Sequence, residues 1–253
     1  MGRFTRGQYA QNVPIGEVLQ CRHIRVERGP RHQHGTHVLL ESAYEKKVKK
    51  IIHLSTDEIY GENTCDEAHH EDSPYHPTNP YAASKASAEM LTRSYIESFN
   101  MPITIIRGNN IFGVRQFPEK IIPRTITRLL NNLPAVIYGD GSNLRSYLSV
   151  FDLCEAFKLL HGQEFNGQIF NVGSKSEYSN KQVITKFCEN MNKDISENIK
   201  FITERPFNDS RYLIDYKKIS SLGWTQKVFI EDQWQELIDW YSNNSIRYKN
   251  IEL

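Results

Sequence analysis

The sequence predicts an α/β fold, with a doubly wound parallel sheet and a smaller C-terminal α/β lobe. Short apolar runs that suit buried strands alternate with longer stretches of helical periodicity. One of these runs ends directly in a cluster of polar residues, which is typical of the carboxyl edge of a parallel sheet. With 253 residues, 39% of them hydrophobic, the chain is long enough to bury the core that such a fold requires.

The regular pattern begins at Gly35. Apolar residues at helical spacing predict a helix over 38–48, and the run 51–54 predicts a buried strand. A helix over 81–99 and a strand over 101–107 follow. The other predicted elements are a helix over 119–130, extended pieces over 135–138 and 146–150 around a glycine-rich turn at 139–141, a helix over 151–161, a strand over 168–172, and helices over 181–192 and 232–242.

Residues 1–34 differ from the rest of the chain. They contain arginine but no lysine, whereas lysine predominates later, and their apolar residues show no period. Such a segment is a poor candidate for a packed element. We interpret it as an atypical, poorly ordered leader, and the alternative is a basic interaction tail.

Charge and cysteine usage narrow the classes of partner. The formal net charge of +1 gives no global field that would favour nucleic acid or an anionic membrane. No uninterrupted apolar stretch is long enough for a membrane span. Cys21, Cys65, Cys154 and Cys188 lie far apart, so we expect reduced thiols, no metal site and a cytoplasmic location.

Polar side chains that can carry acid–base chemistry follow the first predicted strand. Thr56, Asp57 and Glu58 stand at its carboxyl end, where ligands of open parallel sheets bind. Tyr81 and Lys85 lie at i and i+4 at the start of the next helix, so both side chains share one face. A lysine cation beside a phenol favours phenolate, and we expect Lys85 to lower the pKa of Tyr81. Such a tyrosine can take a proton from a hydroxyl whose carbon loses hydride.

The chain resembles the extended short-chain dehydrogenase/reductase family, and within it the dTDP-glucose 4,6-dehydratases. HLSTDEIYG and NPYAASKASAE carry the resemblance, and it continues through IIRGNNIFGVRQFPEKIIPR, YGDGSNLRSYLSVFDLCEAF, GQIFNVGSKSEYSN and ERPFNDSRYLIDYKKISSLGW. It covers the chain from Gly35 to Asn243. Asn208 stands where bacterial members more often have histidine, which is similar to the animal branch.

The resemblance implies a partial NAD-binding Rossmann fold. Residues 35–112 then form the remaining half of the dinucleotide-binding domain and carry the catalytic residues. Residues 113–253 form mainly a nucleotide-sugar-binding lobe, with 136–172 returning to the Rossmann domain. The family uses NAD and forms homodimers, through a helix bundle that is expected to include residues 81–99.

The resemblance also implies conversion of dTDP-glucose to dTDP-4-keto-6-deoxyglucose. C4 is oxidised, water leaves across C5 and C6, and hydride returns to C6. The pair Asp57–Glu58 distinguishes dehydratases from relatives that epimerise or decarboxylate nucleotide sugars. Asp57 is then the general acid and Glu58 the general base. Tyr81, ionised beside Lys85, removes the proton of the C4 hydroxyl, and Thr56 forms a hydrogen bond with the C4 oxygen.

Further residues match positions that contact cofactor or substrate in the family. On the cofactor side these are Ser55, Tyr81, Lys85 and Asn110. On the substrate side they are Thr56, Asn110, Glu119, Lys120, Arg145, Asn180, Arg205, Asn208 and Tyr212. Arginines suit a diphosphate because their donors can bind it in a bidentate manner.

One family motif is absent from the sequence. A dinucleotide-binding domain begins with a strand and a GxxGxxG turn that hold the pyrophosphate, and no such motif precedes Gly35. We therefore expect an N-terminally truncated chain that by itself binds NAD weakly or not at all. Two alternatives stay open, which are a non-catalytic interaction protein and a UDP-glucose 4,6-dehydratase.

Overall fold

The computed structural model describes residues 31–204 and 207–248. Among these residues, no helix is both long enough and apolar enough to cross a membrane. The elements are α1 (Arg31–Glu45), β1 (Ile51–Thr56), α2 (Pro80–Phe99), β2 (Ile103–Gly108), β3 (Asn110–Phe112), α3 (Ile121–Leu130), β4 (Ala135–Tyr138), β5 (Leu144–Ser149), α4 (Val150–His161), β6 (Ile169–Val172), β7 (Glu177–Ser179), α5 (Asn180–Asn190), α6 (Ile195–Asn198), β8 (Ile199–Ile202), α7 (Lys217–Ser220) and α8 (Trp234–Asn243).

The first sheet is parallel and has the strand order β1-β2-β6. All of β2 is buried, as expected for a central strand covered by helices on its faces. The register pairs Thr56 at the end of β1 with Gly108 at the end of β2. The residues that follow these strands therefore meet at one edge, and the predicted α/β class with a parallel sheet is confirmed.

The segment 136–172, which was predicted to return to the Rossmann domain, is divided between the three sheets of the described residues. β4 pairs in parallel with β8 and packs in a cluster with α3, α5 and α8. β5 pairs with β3 and β7, and only β6 joins the first sheet. The glycine-rich turn is present, with Gly139 and Gly141 at positive φ, but the strands before and after it pair with different partners.

Helix α1 begins at Arg31, four residues before Gly35, where the periodic pattern starts. Its Leu40 is buried in a cluster with Tyr95 of α2, whereas Val38 and Leu39 are exposed. The apolar spacing thus predicted the helix but not which of its apolar residues face the core. The predicted leader, residues 1–34, lies outside the described residues except for this first turn of α1.

Helix α2 starts where the sequence places its signals. Asn79 is the N-cap, its side-chain oxygen accepts from the backbone N–H of Ala82, and Pro80 is the first helical residue. Asn100 ends the helix in the left-handed conformation, with φ of 50°. These caps fix the turn that carries Tyr81 and Lys85.

A buried ion pair ties α2 to β2. Arg107 of β2 donates to Glu89 of α2 at 2.6 Å, and both side chains are fully buried. The same guanidinium donates to the hydroxyls of Tyr60 and Tyr75, at 2.5 and 2.8 Å. Because Glu89 follows Lys85 by one helical turn, this network fixes the depth and rotation of the catalytic helix.

Replacement of one partner of this pair is expected to destabilise the fold strongly. Arg107→Met leaves the Glu89 carboxylate buried without its cation, and we expect a loss of about 3–5 kcal/mol in the free energy of unfolding. Urea unfolding of the variant measures this loss. The double variant Arg107→Met/Glu89→Leu should recover most of it, and a loss below about 1 kcal/mol in the single variant would contradict the assignment.

Candidate active site

A cavity of about 1100 Å³ opens at the carboxyl ends of β1 and β2. It extends from these strand ends to α3, β4, β5 and the start of α5. The predicted site residues that line it are Ser55, Thr56, Asp57, Glu58, Tyr81, Lys85, Asn110, Glu119, Lys120, Arg145, Asn180, Asn208 and Tyr212. Arg205 lies outside the described residues. Positions far apart in the sequence thus line one cavity.

Asp57 is held at the base of this cavity. It begins a short 3-10 helix, Asp57–Tyr60, whose N-cap is Thr56, and it is 3% exposed. Asn109 donates to its Oδ2 at 2.7 Å, and Thr56 donates to its Oδ1 at 3.2 Å. Burial raises the pKa of Asp57 to about 7, against the opposing effect of the Asn109 hydrogen bond. Near neutral pH this carboxyl therefore carries a proton in a large fraction of molecules.

Glu58 stands beside Asp57 in a less buried position. Asn79 donates to its Oε2 at 3.2 Å, so the residue that caps α2 also holds this carboxylate. Burial raises the pKa of Glu58, while the hydrogen bond from Asn79 and the charge of Arg145 act in the opposite direction. Two adjacent carboxyl groups therefore have different surroundings, which is the condition for opposite roles.

The expectation that Lys85 lowers the pKa of Tyr81 is wrong for this structure. Burial and the nearby charges of Glu58 and Asp57 raise the pKa of Tyr81 to about 12. The Lys85 ammonium instead donates to the backbone oxygen of Leu54 at 2.7 Å. The spacing predicted a shared face correctly, but it carried no information on the carboxyl groups opposite the phenol.

Arg145 and its neighbours Asn208, Asp209 and Tyr212 also line the cavity. Its guanidinium donates to Asn208 Oδ1 at 3.0 Å and to the backbone oxygen of Asp209 at 2.9 Å. It also lies 4.8 Å above the ring of Tyr212, whose hydroxyl donates to Asp209. In this structure Arg145 therefore fixes the loop around residue 209 and also lines the cavity.

The remaining predicted substrate residues lie nearer the rim. Glu119 and Lys120 are exposed and lie 3.5 Å apart, just before α3. Asn110 is exposed at the start of β3, and Asn180 begins α5 behind the Ser179 N-cap. Asn110, Glu119 and Lys120 are thus exposed, whereas Asn180 is half-buried, and all four line the cavity.

Three residues that support the acids were not predicted: Asn79 and Asn109 donate to Glu58 and Asp57, and Asp209 accepts from Asn79. Asn79 had a signal, since an asparagine before proline at a helix start is a typical N-cap. Asp209 accepts from Thr78 at 2.8 Å and joins the loop to the start of α2. Asn109 precedes the predicted Asn110 by one residue, and only the tertiary structure shows which of the two amides meets Asp57.

The donor set at the strand ends fits the nicotinamide end of a dinucleotide. Lys85 carries three N–H groups, of which the Leu54 oxygen takes one, and the side chain lines the cavity. Ser55 of β1 and Asn110 at the start of β3 line the same cavity. A cation, a hydroxyl and an amide at this edge suit ribose and carboxamide groups.

Comparisons with known proteins identify the family. Residues 31–237 match the family model described as GDP-mannose 4,6 dehydratase. The chain belongs to this family. Curated relatives of the chain are named as dehydratases of nucleotide sugars, and the sequence resemblance to nucleotide-sugar dehydratases is confirmed.

Curated relatives are similar over most of this chain. A trifunctional protein of Arabidopsis thaliana, named as a UDP-glucose 4,6-dehydratase, 3,5-epimerase and reductase, is 45% identical over 215 residues. The match covers 83% of this chain and 32% of that protein. The dTDP-D-glucose 4,6-dehydratase of Mus musculus is 39% identical over 224 residues, which cover 87% of this chain and 63% of that protein. The chain thus spans 32% of the length of the first of these relatives and 63% of the length of the second.

Solved structures share the fold. A dTDP-glucose 4,6-dehydratase of Bacillus anthracis in complex with NAD has a TM-score of 0.81 and 32% identity, over 87% of this chain and 70% of that chain. A dTDP-glucose 4,6-dehydratase of Streptomyces venezuelae with NAD bound has a TM-score of 0.84 and 31% identity, over 87% of this chain and 68% of that chain. A UDP-glucose 4-epimerase of Thermotoga maritima has a TM-score of 0.78 and 27% identity, over 85% and 70%.

The buried Asp57 carboxyl predicts a pH-dependent stability. Its folded-state pKa lies above the value of 3.8 for an unperturbed aspartate, so it contributes stability at low pH that is lost as pH rises through about 7. We expect Asp57→Asn to have a free energy of unfolding on the order of 2–4 kcal/mol higher than that of the parent at about pH 8. At about pH 4 the two free energies should be nearly equal.

Urea titrations over this pH range measure the difference. Asp239→Asn is the matched control, because Asp239 is an exposed acid on α8 and its loss should leave the pH dependence of the parent intact. A gain for Asp57→Asn that does not grow with pH would contradict the assignment of a raised pKa.

Proposed function

We propose that this chain carries the catalytic and nucleotide-sugar-binding parts of a nucleotide-sugar 4,6-dehydratase, with dTDP-glucose as substrate. The adjacent acids at the end of β1 are the observation that carries the proposal. Asp57 has a raised pKa in a buried position, and Glu58 shares the cavity with Tyr81 and Lys85. This arrangement supports elimination of water rather than a simple oxidation, because elimination needs a base and an acid close together.

The residues divide the reaction into three linked steps. Tyr81 takes the proton of the C4 hydroxyl as C4 loses hydride, with Thr56 bonding the same oxygen. The new ketone acidifies C5, and Glu58 removes the C5 proton. Asp57 gives its proton to the C6 hydroxyl, which leaves as water. Hydride then returns to C6 and C5 is reprotonated, so the overall change is the loss of one water.

NAD+, when bound, supplies the acceptor and donor of hydride and a positive ring that lowers the pKa of a nearby phenol. Ser55, Tyr81, Lys85 and Asn110 would hold its nicotinamide end. In this structure burial and the charges of Glu58 and Asp57 raise the pKa of Tyr81, and such a positive charge would act in the opposite direction.

UDP-glucose is the second candidate substrate. The Arabidopsis relative with 45% identity is named for UDP-glucose, whereas the mouse relative with 39% identity is named for dTDP-glucose. The acid–base residues act on the hexose, which both nucleotide sugars share. The two substrates therefore differ only in contacts away from Asp57 and Glu58.

We also propose that the protein is cytoplasmic and forms a homodimer. Helices α1 and α2 pack together and expose apolar side chains, with Leu39 at 61% and Met90 at 60% exposure. Such side chains suit a helix-bundle interface between two copies. Analytical ultracentrifugation of the full-length protein reports the number of copies.

Loss of the acid is expected to stall the reaction after C4 oxidation. In the full-length protein with dTDP-glucose, Asp57→Asn should lower formation of the 4-keto-6-deoxy sugar by at least about 100-fold, since protonation of the leaving hydroxyl is lost. Mass spectrometry of the sugar measures the loss of water, and nicotinamide absorbance measures C4 oxidation.

Asp239→Asn is the control and should retain the parent rate. Water loss by Asp57→Asn at the parent rate would contradict the role of Asp57. A higher kcat/KM of the parent protein with UDP-glucose than with dTDP-glucose would favour the second substrate without affecting the assignment of the acid.

A further inference from the structure

Asn109 is buried at the end of β2, beside the acid–base pair. It is 5% exposed, and its side-chain amide lies between Asp57 on one side and the chain after β6 on the other. Its Nδ2 donates to Asp57 Oδ2 at 2.7 Å, and its Oδ1 accepts from the backbone N–H of Ser174 at 3.0 Å. Both ends of the amide are thus engaged.

The contact with Ser174 fixes which way the amide points. A backbone N–H can only donate, so the group that it meets must be the amide oxygen. The NH2 group of Asn109 is then turned toward Asp57, where it acts as a donor. The backbone N–H of Asn109 also donates to Val172 at 3.2 Å, which anchors the residue to the end of β6.

Gly173 makes this arrangement possible. A Cβ atom at position 173 would lie 3.0 Å from Asn109 Oδ1 and 2.4 Å from a ring carbon of Tyr216. A larger residue would therefore disturb the acceptor side of the amide. Glycine at position 173 thus lets the backbone of Ser174 approach the side-chain amide of Asn109.

We propose that Asn109 is the positioning residue of the Asp57 carboxyl, holding its Oδ2 through a donated amide hydrogen bond whose direction Ser174 fixes. The inference rests on the role proposed for Asp57, but its test does not require the reaction. Asn79 holds the carboxylate of Glu58 in the same way. Its side-chain oxygen accepts from the backbone N–H of Ala82, and its NH2 group donates to Glu58. Each acid of the pair thus has its own oriented amide.

The donated bond opposes the effect of burial on Asp57. Burial raises the pKa of Asp57, and the bonds from Asn109 and Thr56 and the charge of Arg145 lower it. The other ionisable groups that face Asp57 are Glu58, which raises its pKa, and the phenol of Tyr81 on α2. Without the Asn109 donor, Asp57 would hold its proton to higher pH and would be a weaker acid for a leaving hydroxyl.

The test is a direct titration of Asp57 in this 253-residue chain by carboxyl-carbon NMR with labelled aspartate. The resonance is assigned by its disappearance in Asp57→Asn. Asn109→Ala should move the titration midpoint of Asp57 upward by at least about 1 pH unit. Asn109→Leu keeps a side chain of similar size that neither donates nor carries charge, and it should also move the midpoint upward.

Asn63→Ala is the matched control for loss of a buried structural amide. Asn63 accepts from the Leu213 N–H and donates to the Glu67 oxygen, away from the cavity, so its loss should leave the Asp57 midpoint unchanged. If Asn109→Ala does not fold, Asn109→Leu decides the outcome. An unchanged midpoint in the folded Asn109 variant would overturn the inference, whether or not the full-length protein proves to be a dehydratase.

Discussion

The burial of the Asp57 carboxyl at the end of β1 is the constraint on which the chemistry of the site depends. Parallel pairing of β1 with β2 brings Thr56 and Gly108 level, so the residues after both strands meet at one edge. Asp57 is thereby removed from water and placed within reach of Asn109. An exposed aspartate would be ionised at neutral pH and could not act as an acid. The desolvation that disfavours the charged form is what gives this residue its proton.

The rest of the fold can be understood as support for that edge. The Arg107–Glu89 pair fixes α2 against β2, and Asn79 caps the same helix while holding Glu58. Asp209 accepts from Thr78 and Tyr212, which joins the loop of the second lobe to the start of α2. Buried polar groups are costly unless they are paired, and here the paired groups are also the ones that set the geometry of the cavity.

Elements with a long apolar period or a local capping signal could be predicted from the sequence. Short strands, and pKa shifts that depend on tertiary contacts, could not. Helix α2 was predicted to within one residue because its apolar period is long and Pro80 marks its start. The strands β3 and β7 have three residues each, too few for a period, and were missed. The pKa of Tyr81 was predicted in the wrong direction because its burial, together with the charges of Glu58 and Asp57, depends on tertiary packing that the i, i+4 spacing does not report. Asn109 could not be distinguished from Asn110 because both follow the same strand.

The proposed 4,6-dehydration is tested most sharply by asking whether hydride moves from C4 to C6 within one sugar molecule. The full-length protein would be supplied with NAD+ and dTDP-glucose carrying deuterium at C4, and the product analysed by NMR and mass spectrometry. We expect a 4-keto-6-deoxy sugar with the deuterium in its C6 methyl group. A sugar that keeps its C6 hydroxyl, with the deuterium still at C4, would show an epimerase or an inactive binding protein and would contradict it.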